Sequence, residues 1–209
     1  DKLKDASDSE QMDIIMNLLA GDPDTYGDFF SQPVKVNEHY MYEIANYGSG
    51  VAPFYTVLAI WVGMTILVSL LKVHVDKKDF PKAKPYQHFF GRYLLFLLLS
   101  EIQAMVIVAG DLYIFGVQCK HPGAMFLTAA VTSFTFSMLI YALTISFGDI
   151  GKALAVVIMV LQIAGSGGTY PIEALPRFFR SVYIFFPFPY AINGMRECIG
   201  GMYNQDLTV

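Results

Sequence analysis

Two carboxylates inside an apolar run are the residues of this sequence whose positions first suggest chemistry. Glu101 and Asp111 lie between Tyr93 and Gln118, in a stretch that begins YLLFLLLS. If this stretch is a helix, Glu101 lies roughly 12 Å beyond its start, at 1.5 Å of rise per residue, and Gln103 is close by. An acid at that depth in a bilayer is costly, which makes Glu101 a functional candidate.

Glu101 has two interpretations at this stage. It lines a watery cavity inside a helix bundle, or it is a neutral, hydrogen-bonded side chain that only joins helices. Asp111 comes ten residues later, near the expected membrane surface, where an exposed acid is ordinary. The hydroxyl residues of TSFTFS, Thr132 to Ser137, favour close helix packing over a substrate path.

Other kinds of chemistry find no support in the sequence. SFGDIGKA lacks the first glycine of a phosphate-binding loop and ends in alanine, so we do not expect this chain to bind ATP. The net charge is −4 and no basic face is evident, which argues against nucleic acid. The histidines are scattered over three regions and predict no metal site: His39, His74, His88 and His121. We therefore expect no enzyme activity, cofactor or metal on this chain.

The apolar residues are concentrated in runs. The chain is 55% hydrophobic with a mean hydropathy of +0.46, and no Asp, Glu, Lys or Arg occurs between residues 43 and 72, 120 and 149, or 152 and 173. Each gap is long enough for the roughly 20 apolar residues of a membrane-spanning helix. The apolar run that begins at Tyr93 adds a fourth candidate. We predict an all-α polytopic membrane protein with four transmembrane helices, at about residues 52–71, 93–115, 123–147 and 153–167.

The orientation follows from the basic residues near the ends of these runs. Residues 72–92 carry six Lys or Arg against two acids, whereas residues 116–122 carry one Lys. By the positive-inside rule, residues 72–92 are cytoplasmic and residues 1–50 and 168–209 are extracellular. Arg177 and Arg180, which lie within 168–209, count against this orientation.

The predicted outer side holds the acidic N-terminal part and both cysteines. Residues 1–50 are expected to end an extracellular domain and link it to the membrane, while residues 51–209 form the membrane domain. Both ends look cut, so we expect a piece of a longer protein. A disulfide between Cys119 and Cys198 is permitted outside the cell, but the sequence does not decide whether they pair.

The basic loop 72–92 also has two interpretations. Its lysines are the topology signal and lie near anionic headgroups, or the loop docks on a cytoplasmic partner. Its length and its aromatic YQHFF segment favour a surface that is bound or that lies along the membrane interface. The candidate contact residues are Lys77, Lys78, Asp79, Phe80 and Pro81.

The stretch SGGTYPIEALPRFFRSVYIFFPFPYAING is apolar but too broken by proline and glycine to span a membrane as one helix. Its two segments of about a dozen residues reach only about 18 Å, against a bilayer core of roughly 30 Å. We predict a re-entrant outer hairpin; the alternative is a loop that lies on the bilayer. Arg196 is expected to pair with Glu173. The hinge and hairpin candidates are Gly165, Gly167, Gly168, Pro171, Glu173, Pro176, Pro189, Tyr190, Asn193, Arg196 and Glu197.

Two stretches together resemble a known family. SFGDIGKALAVVIMVLQIAGSGGTYPIEALPRFF followed by PFPYAINGMRECIGG resembles the end of the membrane domain in type-2 ABC exporter permeases, where a fifth span leads into an outer re-entrant hairpin. FFSQPVKV and NYGSGVAPFYTVLAIWVG resemble the phage infection protein (YhgE/Pip) branch at its entry into the second span. The resemblance implies spans two to five and the hairpin, without the first and last spans.

The resemblance also implies a function. It implies a transmembrane subunit in a homodimer or heterodimer that moves an unidentified substrate outward across a bacterial cell membrane, driven by a separate ATPase. Family members contact that ATPase through the loop that corresponds to residues 72–92. Gly148 and Asp149 are expected in the second cytoplasmic turn, as further candidates for this contact. As an alternative, the branch implies a phage receptor or a type VII secretion-type scaffold without transport of its own. A third hypothesis, an ion-coupled carrier, would use Glu101 and Asp111.

Overall fold

The computed structural model describes residues 44–73, 84–168 and 172–201, except for the side chain of Glu173. All regular structure within these ranges is helical, as predicted. The elements are α1 (Tyr47–Leu70), α2 (Pro85–Ala109), a π-helical segment (Gly110–Ile114), α3 (Pro122–Phe147), α4 (Asp149–Gly165), a 3₁₀ turn (Ile172–Ala174), α5 (Arg177–Val182), a second 3₁₀ turn (Tyr183–Phe185) and α6 (Pro187–Gly200). Of the predicted extracellular part, residues 1–43 lie outside the described residues, and α1 begins within its last residues, at Tyr47.

Three of these helices are long and apolar enough to cross a membrane. They are Tyr47–Leu70, Pro85–Ile114 and Pro122–Phe147, with 24, 30 and 26 residues. The protein is therefore a helical membrane protein, as the sequence predicts. The fourth predicted span coincides with α4, which has 17 residues, about 25 Å at 1.5 Å per residue. That α4 crosses the membrane stays a prediction.

Local sequence explains where α1 and α2 begin. The Asn46 side chain accepts a 2.8 Å hydrogen bond from the Ser49 amide and caps α1. Pro85 is the first residue of α2, and the Lys84 amide donates to the Gln87 side chain at 2.8 Å. As a result α2 begins eight residues before the predicted span, and residues 85–92 of the predicted loop are helical.

A single glycine turns the chain from α3 into α4. Gly148 has φ of 61°, a left-handed conformation that glycine adopts without steric cost. Three residues later, a Cβ on Gly151 would overlap the Leu143 carbonyl of α3. The two glycines therefore allow α3 and α4 to reverse direction and pack closely at once.

Helix α6 runs back along the first half of α3. At its start, the Phe188 ring stacks on Phe136, with centroids 5.3 Å apart. At its end, the Cys198 carbonyl accepts a 3.1 Å hydrogen bond from the His121 amide, just before α3 begins. His121 and Phe136 are fifteen positions apart, or about 22 Å along a helix. We call the end of the bundle at residues 116–121 the loop end; α6 thus begins deep in the bundle and finishes at the loop end.

The single tryptophan of the chain joins four helices. Trp61 of α1 is fully buried, and its indole N–H donates to the Ala155 carbonyl of α4 at 3.3 Å. Its ring meets Phe136 and Phe188 edge to face, at centroid distances of 4.9 and 5.5 Å. Such pairs contribute about 1 kcal/mol each beyond the area that they bury. The start of α6 is therefore part of the core.

Candidate functional site

The tip of the hairpin is held by a buried side chain of α4. The Phe188 amide in the first turn of α6 donates a 3.3 Å hydrogen bond to Oε1 of Gln162. First-turn amides have no partner inside their own helix, so Gln162 supplies an acceptor that the apolar surroundings lack. Gln162 is fully buried, and its Nε2 has no hydrogen-bond partner among the described residues.

The arm before the tip is more broken than predicted. Instead of one helix of about a dozen residues, it contains the six-residue α5 between two 3₁₀ turns. Pro176 caps the start of α5, and Pro187 opens α6 directly after Phe186. Because proline lacks an amide hydrogen and excludes the helical conformation in the residue before it, the arm cannot continue as one helix.

The predicted hinge glycines are tightly packed. Gly167 has φ of 65°, which favours glycine. A Cβ on Gly168 would overlap the Phe54 ring of α1, and a Cβ on Gly165 would lie 3.1 Å from Phe179. The segment 165–168 is therefore held between α1 and the hairpin arm in this conformation.

Arg196 of α6 fastens the same segment. Its guanidinium Nη2 donates to the carbonyls of Gly167 at 3.3 Å and Gly168 at 2.9 Å. The predicted partner, Glu173, has no described side chain, so that pairing stays a prediction. Pro171 also lies outside the described residues. The described contacts make Arg196 a link between the returning helix and the glycine segment.

The loop end is joined to the hairpin by hydrogen bonds. The side-chain oxygen of Gln118 accepts a 2.7 Å hydrogen bond from the Ala45 amide, and the Gln118 backbone amide donates to the Ser49 hydroxyl at 3.2 Å. The Cys198 carbonyl accepts from the His121 amide and, at 3.3 Å, from the Cys119 thiol. These contacts tie the start of α1, the loop 116–121 and the end of α6 together.

Both cysteines are free thiols. Cys198 is fully buried, and its sulfur lies 3.6 Å from the hydroxyl of Thr128 and donates to the Gly194 carbonyl at 3.1 Å. Cys119 is half-buried, and this burial raises the pKa of its thiol. Because the thiolate is the reactive form, a raised pKa makes Cys119 less reactive at neutral pH.

Asp111 binds α1. Thr56 Oγ1 lies 2.5 Å from Asp111 Oδ2 and 2.8 Å from the Ala52 carbonyl within α1. Asp111 is in the π-helical segment, an element that is frequent at functional sites. Its half-buried carboxyl therefore has a defined partner, which the sequence did not indicate.

Glu101 and Gln103 point to different helices. The Glu101 carboxyl interacts with the Ser133 side chain of α3, although the buried Ser133 Oγ makes no hydrogen bond of normal geometry. Gln103 packs on α1 so closely that a Cβ on Gly63 would overlap its carboxamide. The structure does not bring Glu101, Gln103 and Asp111 together into one site.

The opposite end of the bundle exposes an apolar turn. Phe147 and Ile150 flank Gly148 and are 57% and 74% exposed, and Lys152 forms a 2.9 Å ion pair with Asp149. The predicted contact residues Lys77, Lys78, Asp79, Phe80 and Pro81 lie outside the described residues. Among the described residues, the predicted cytoplasmic side therefore consists of the second turn and of residues 72–73 and 84–92 of the predicted loop.

A groove of about 870 Å³ lies between α3 and α6. Asn193 and Tyr190 of α6 line it and are exposed, and Glu197 lines it and is half-buried. The Tyr190 hydroxyl donates to the Ile184 carbonyl at 3.0 Å, whereas neighbouring Pro189 is buried. We call this the α3–α6 groove. The sequence did not indicate it, because its walls are residues fifty and more positions apart.

Two features of the sequence mark the core of this site. Gln162 is a lone amide in an apolar run, and Trp61 is the single tryptophan. No group of three or more His, Cys, Asp or Glu residues suited to a metal occurs within residues 44–73, 84–168 and 172–201. Packing and hydrogen bonds around the hairpin are therefore the main features of the described site.

Comparisons with known proteins agree with the architecture. The family model described as ABC-2 family transporter protein matches residues 5–208. The chain is 31% identical over 181 residues to the uncharacterized protein YhgE of Bacillus subtilis strain 168. That match covers 87% of this chain and 23% of the relative, so the chain spans about a quarter of the relative's length. No solved structure matches.

Proposed function

Because the chain belongs to the ABC-2 family of transporter proteins, we propose that it is the membrane part of an exporter whose ATP is hydrolysed by a separate chain. The observation that carries the proposal is the path of α6. This helix begins at Gln162 and Trp61, deep among α1, α3 and α4, and returns to the loop end. A hairpin wedged between spanning helices can change the opening at one end of a pathway without moving the other.

We propose that the loop end faces outward and that the hairpin is its gate. The segment 165–168 is the hinge, and the contacts of Gly168 with Phe54 and of Arg196 with the Gly167 and Gly168 carbonyls hold the closed state. Opening requires these contacts to break together. Export then consists of releasing the substrate past α6.

The ATPase would bind at the opposite end. In support, the turn between α3 and α4 exposes Phe147 and Ile150 beside the Asp149–Lys152 ion pair, and apolar residues rimmed by charge are typical of protein contacts. Lys77, Lys78 and Asp79 in the basic loop would complete the contact. We propose no cofactor on this chain and a dimer of such subunits in a bacterial plasma membrane.

The decisive experiment is purification of the full-length protein from its native membrane with its associated proteins. The proposal expects an ATPase to copurify, and ATP hydrolysis to slow when Ile150 is replaced by Asp. The control is Lys120→Asp at the loop end, which should leave hydrolysis unchanged. Phe134 of α3 is also exposed, but an Asp there would place a charge in the bilayer. Absence of any ATPase would overturn the proposal.

A second candidate function is a surface receptor or secretion scaffold. It is favoured by the length of the relative: the match covers only 23% of YhgE and leaves most of that protein unmatched. In that case the spans anchor an external domain, and the cytoplasmic loops tolerate scrambling. Variants of Lys77 and Lys78 that insert normally and keep full activity would favour it.

A further inference from the structure

The α3–α6 groove changes character along its length. Its loop-end half is lined by Asn193, Arg196 and Glu197, near the point where a Cβ on Gly194 would lie 3.1 Å from Thr128. Its deep half is lined by apolar residues next to the Phe136–Phe188 stack: Val131, Phe136, Pro187 and Ala191. The groove therefore has both of its charged side chains toward the bundle end, beside the apolar Leu127, and is mainly apolar toward the middle.

Hydroxyl groups do not reverse this gradient. Thr135, in the deep half, donates its hydroxyl to the Val131 carbonyl one turn earlier at 2.9 Å, so its methyl group remains for an apolar ligand. Thr128 is near the polar half and interacts with the Cys198 sulfur. The groove thus offers a hydrocarbon surface in its deep half and charged groups in its loop-end half.

The polar half carries one charge of each sign. Arg196 holds the carbonyls of Gly167 and Gly168 through Nη2, and Glu197 is its neighbour on the same wall. Guanidinium groups bind phosphate, and carboxylates bind ammonium groups through charge-assisted hydrogen bonds. A headgroup with a phosphate and an ammonium group matches both charges and leaves the site neutral.

We propose that the α3–α6 groove binds one phospholipid with a zwitterionic, ammonium-bearing headgroup, of the phosphatidylethanolamine type. Its phosphate lies toward Arg196, its ammonium group toward Glu197, and an acyl chain lies against Val131 and Phe136. The volume of about 870 Å³ is within the range of small-molecule sites, roughly 300–1,000 Å³. The orientation, polar at the bundle end and apolar toward its middle, is that of a lipid in one leaflet.

The binding site does not depend on the proposed transport. Lipid retention is measured on the permease without ATP or an ATPase, so a negative result here leaves the transport proposal intact, and the reverse also holds. The full-length protein is placed in nanodiscs of equal parts phosphatidylethanolamine and phosphatidylglycerol. It is then stripped with mild detergent, and the retained lipids are counted by native mass spectrometry.

Val131→Trp and Thr135→Trp each fill the apolar half and are expected to lower retained phosphatidylethanolamine about tenfold. Phe134→Trp is the matched control, because Phe134 is exposed on the same helix but does not line the groove. It should retain lipid like the parent protein. Two variants fill the groove, so the test still gives a result if one of them folds poorly.

Glu197→Gln tests the headgroup. Removing the negative charge should shift retention from phosphatidylethanolamine toward the anionic phosphatidylglycerol, which a purely structural role of Glu197 would not do. Equal retention of lipid by the parent protein and both filling variants would overturn the proposal. So would a change of oligomeric state in the filling variants without lipid loss, since the groove would then be an interface between subunits.

Discussion

The Phe188 amide donates a 3.3 Å hydrogen bond to the side-chain oxygen of Gln162. Through this contact the first turn of α6 is anchored to α4, and the aromatic cluster of Trp61, Phe136 and Phe188 closes around it. The hairpin is therefore not a loop resting on the bundle in this conformation. Its tip is part of the bundle core.

Gln162→Leu should weaken the fold. The change leaves the Phe188 amide buried without an acceptor, which costs about 1–3 kcal/mol in the free energy of unfolding. Gln162→Glu is the control, because a neutral carboxyl still offers a carbonyl acceptor, and its loss should be smaller. Thermal unfolding of the full-length protein in detergent measures both, and an unchanged melting temperature for Gln162→Leu would contradict the anchoring role.

Thr56 and Asp111 should be energetically coupled. Thr56→Val and Asp111→Asn each disturb the same hydrogen bond between α1 and the π-helical segment, so their effects should not add. A double-mutant cycle on unfolding stability should give a coupling of about 1 kcal/mol. Pairing Asp111→Asn with Thr65→Val provides the comparison, since the Thr65 hydroxyl bonds within α1. Additive effects for Thr56 and Asp111 would rule the coupling out.

Replacing both Gly167 and Gly168 with Leu should stop substrate release. At Gly167 a side chain strains the left-handed backbone by about 1–2 kcal/mol, and at Gly168 it meets the Phe54 ring. Membrane insertion and partner binding should be unchanged, because both lie outside the hinge. Release is followed once a transported substrate is identified. Full export by the double variant would show that the hairpin is passive and would favour the receptor alternative.

Cys119 should react with an impermeant thiol reagent on intact cells, and Cys198 should not, because it is fully buried. Both thiols lie on the predicted outer side, but the burial of Cys198 keeps the reagent from its sulfur. The raised pKa of Cys119 leaves little thiolate at pH 7, so labelling should accelerate roughly tenfold per pH unit until the folded pKa is reached. Cys119→Ser is the blank. Labelling that appears only after lysis would reverse the orientation.

Reversing Lys77 and Lys78 to Glu, with lysines added elsewhere in residues 72–92, should keep insertion and abolish ATPase coupling. The net charge of the loop, and so the topology signal, is preserved, while the proposed contact is lost. A variant with only the added lysines controls for the insertions. Measured ATP hydrolysis by the copurified complex decides between the outcomes. Full activity of the compensated variant would remove the loop from the contact.

Much of the fold was predictable because it depends on local sequence. Long uncharged runs predicted α1 and α3, and the apolar run that carries Glu101 and Asp111 predicted α2. The family resemblance is confirmed by the match over residues 5–208. Proline and glycine predicted where the chain after Gln162 breaks, since each acts on its own backbone dihedrals. Helix α2 begins eight residues before the predicted span, because the polar residues after Pro85 gave no apolar signal although they are helical.

Tertiary structure alone decided how deep the hairpin reaches and which residues meet there. Nothing near Gln162 in the sequence indicates that its oxygen accepts from Phe188, or that Arg196 binds glycine carbonyls. Likewise the sequence predicted an exposed acid at Asp111, whereas in the fold Asp111 accepts a hydrogen bond from Thr56, fifty-five positions away. The physical reason is that a buried polar group is satisfied by whatever packing brings near it. That packing depends on helices far apart in the chain, whereas helix formation and helix breaking depend on neighbours.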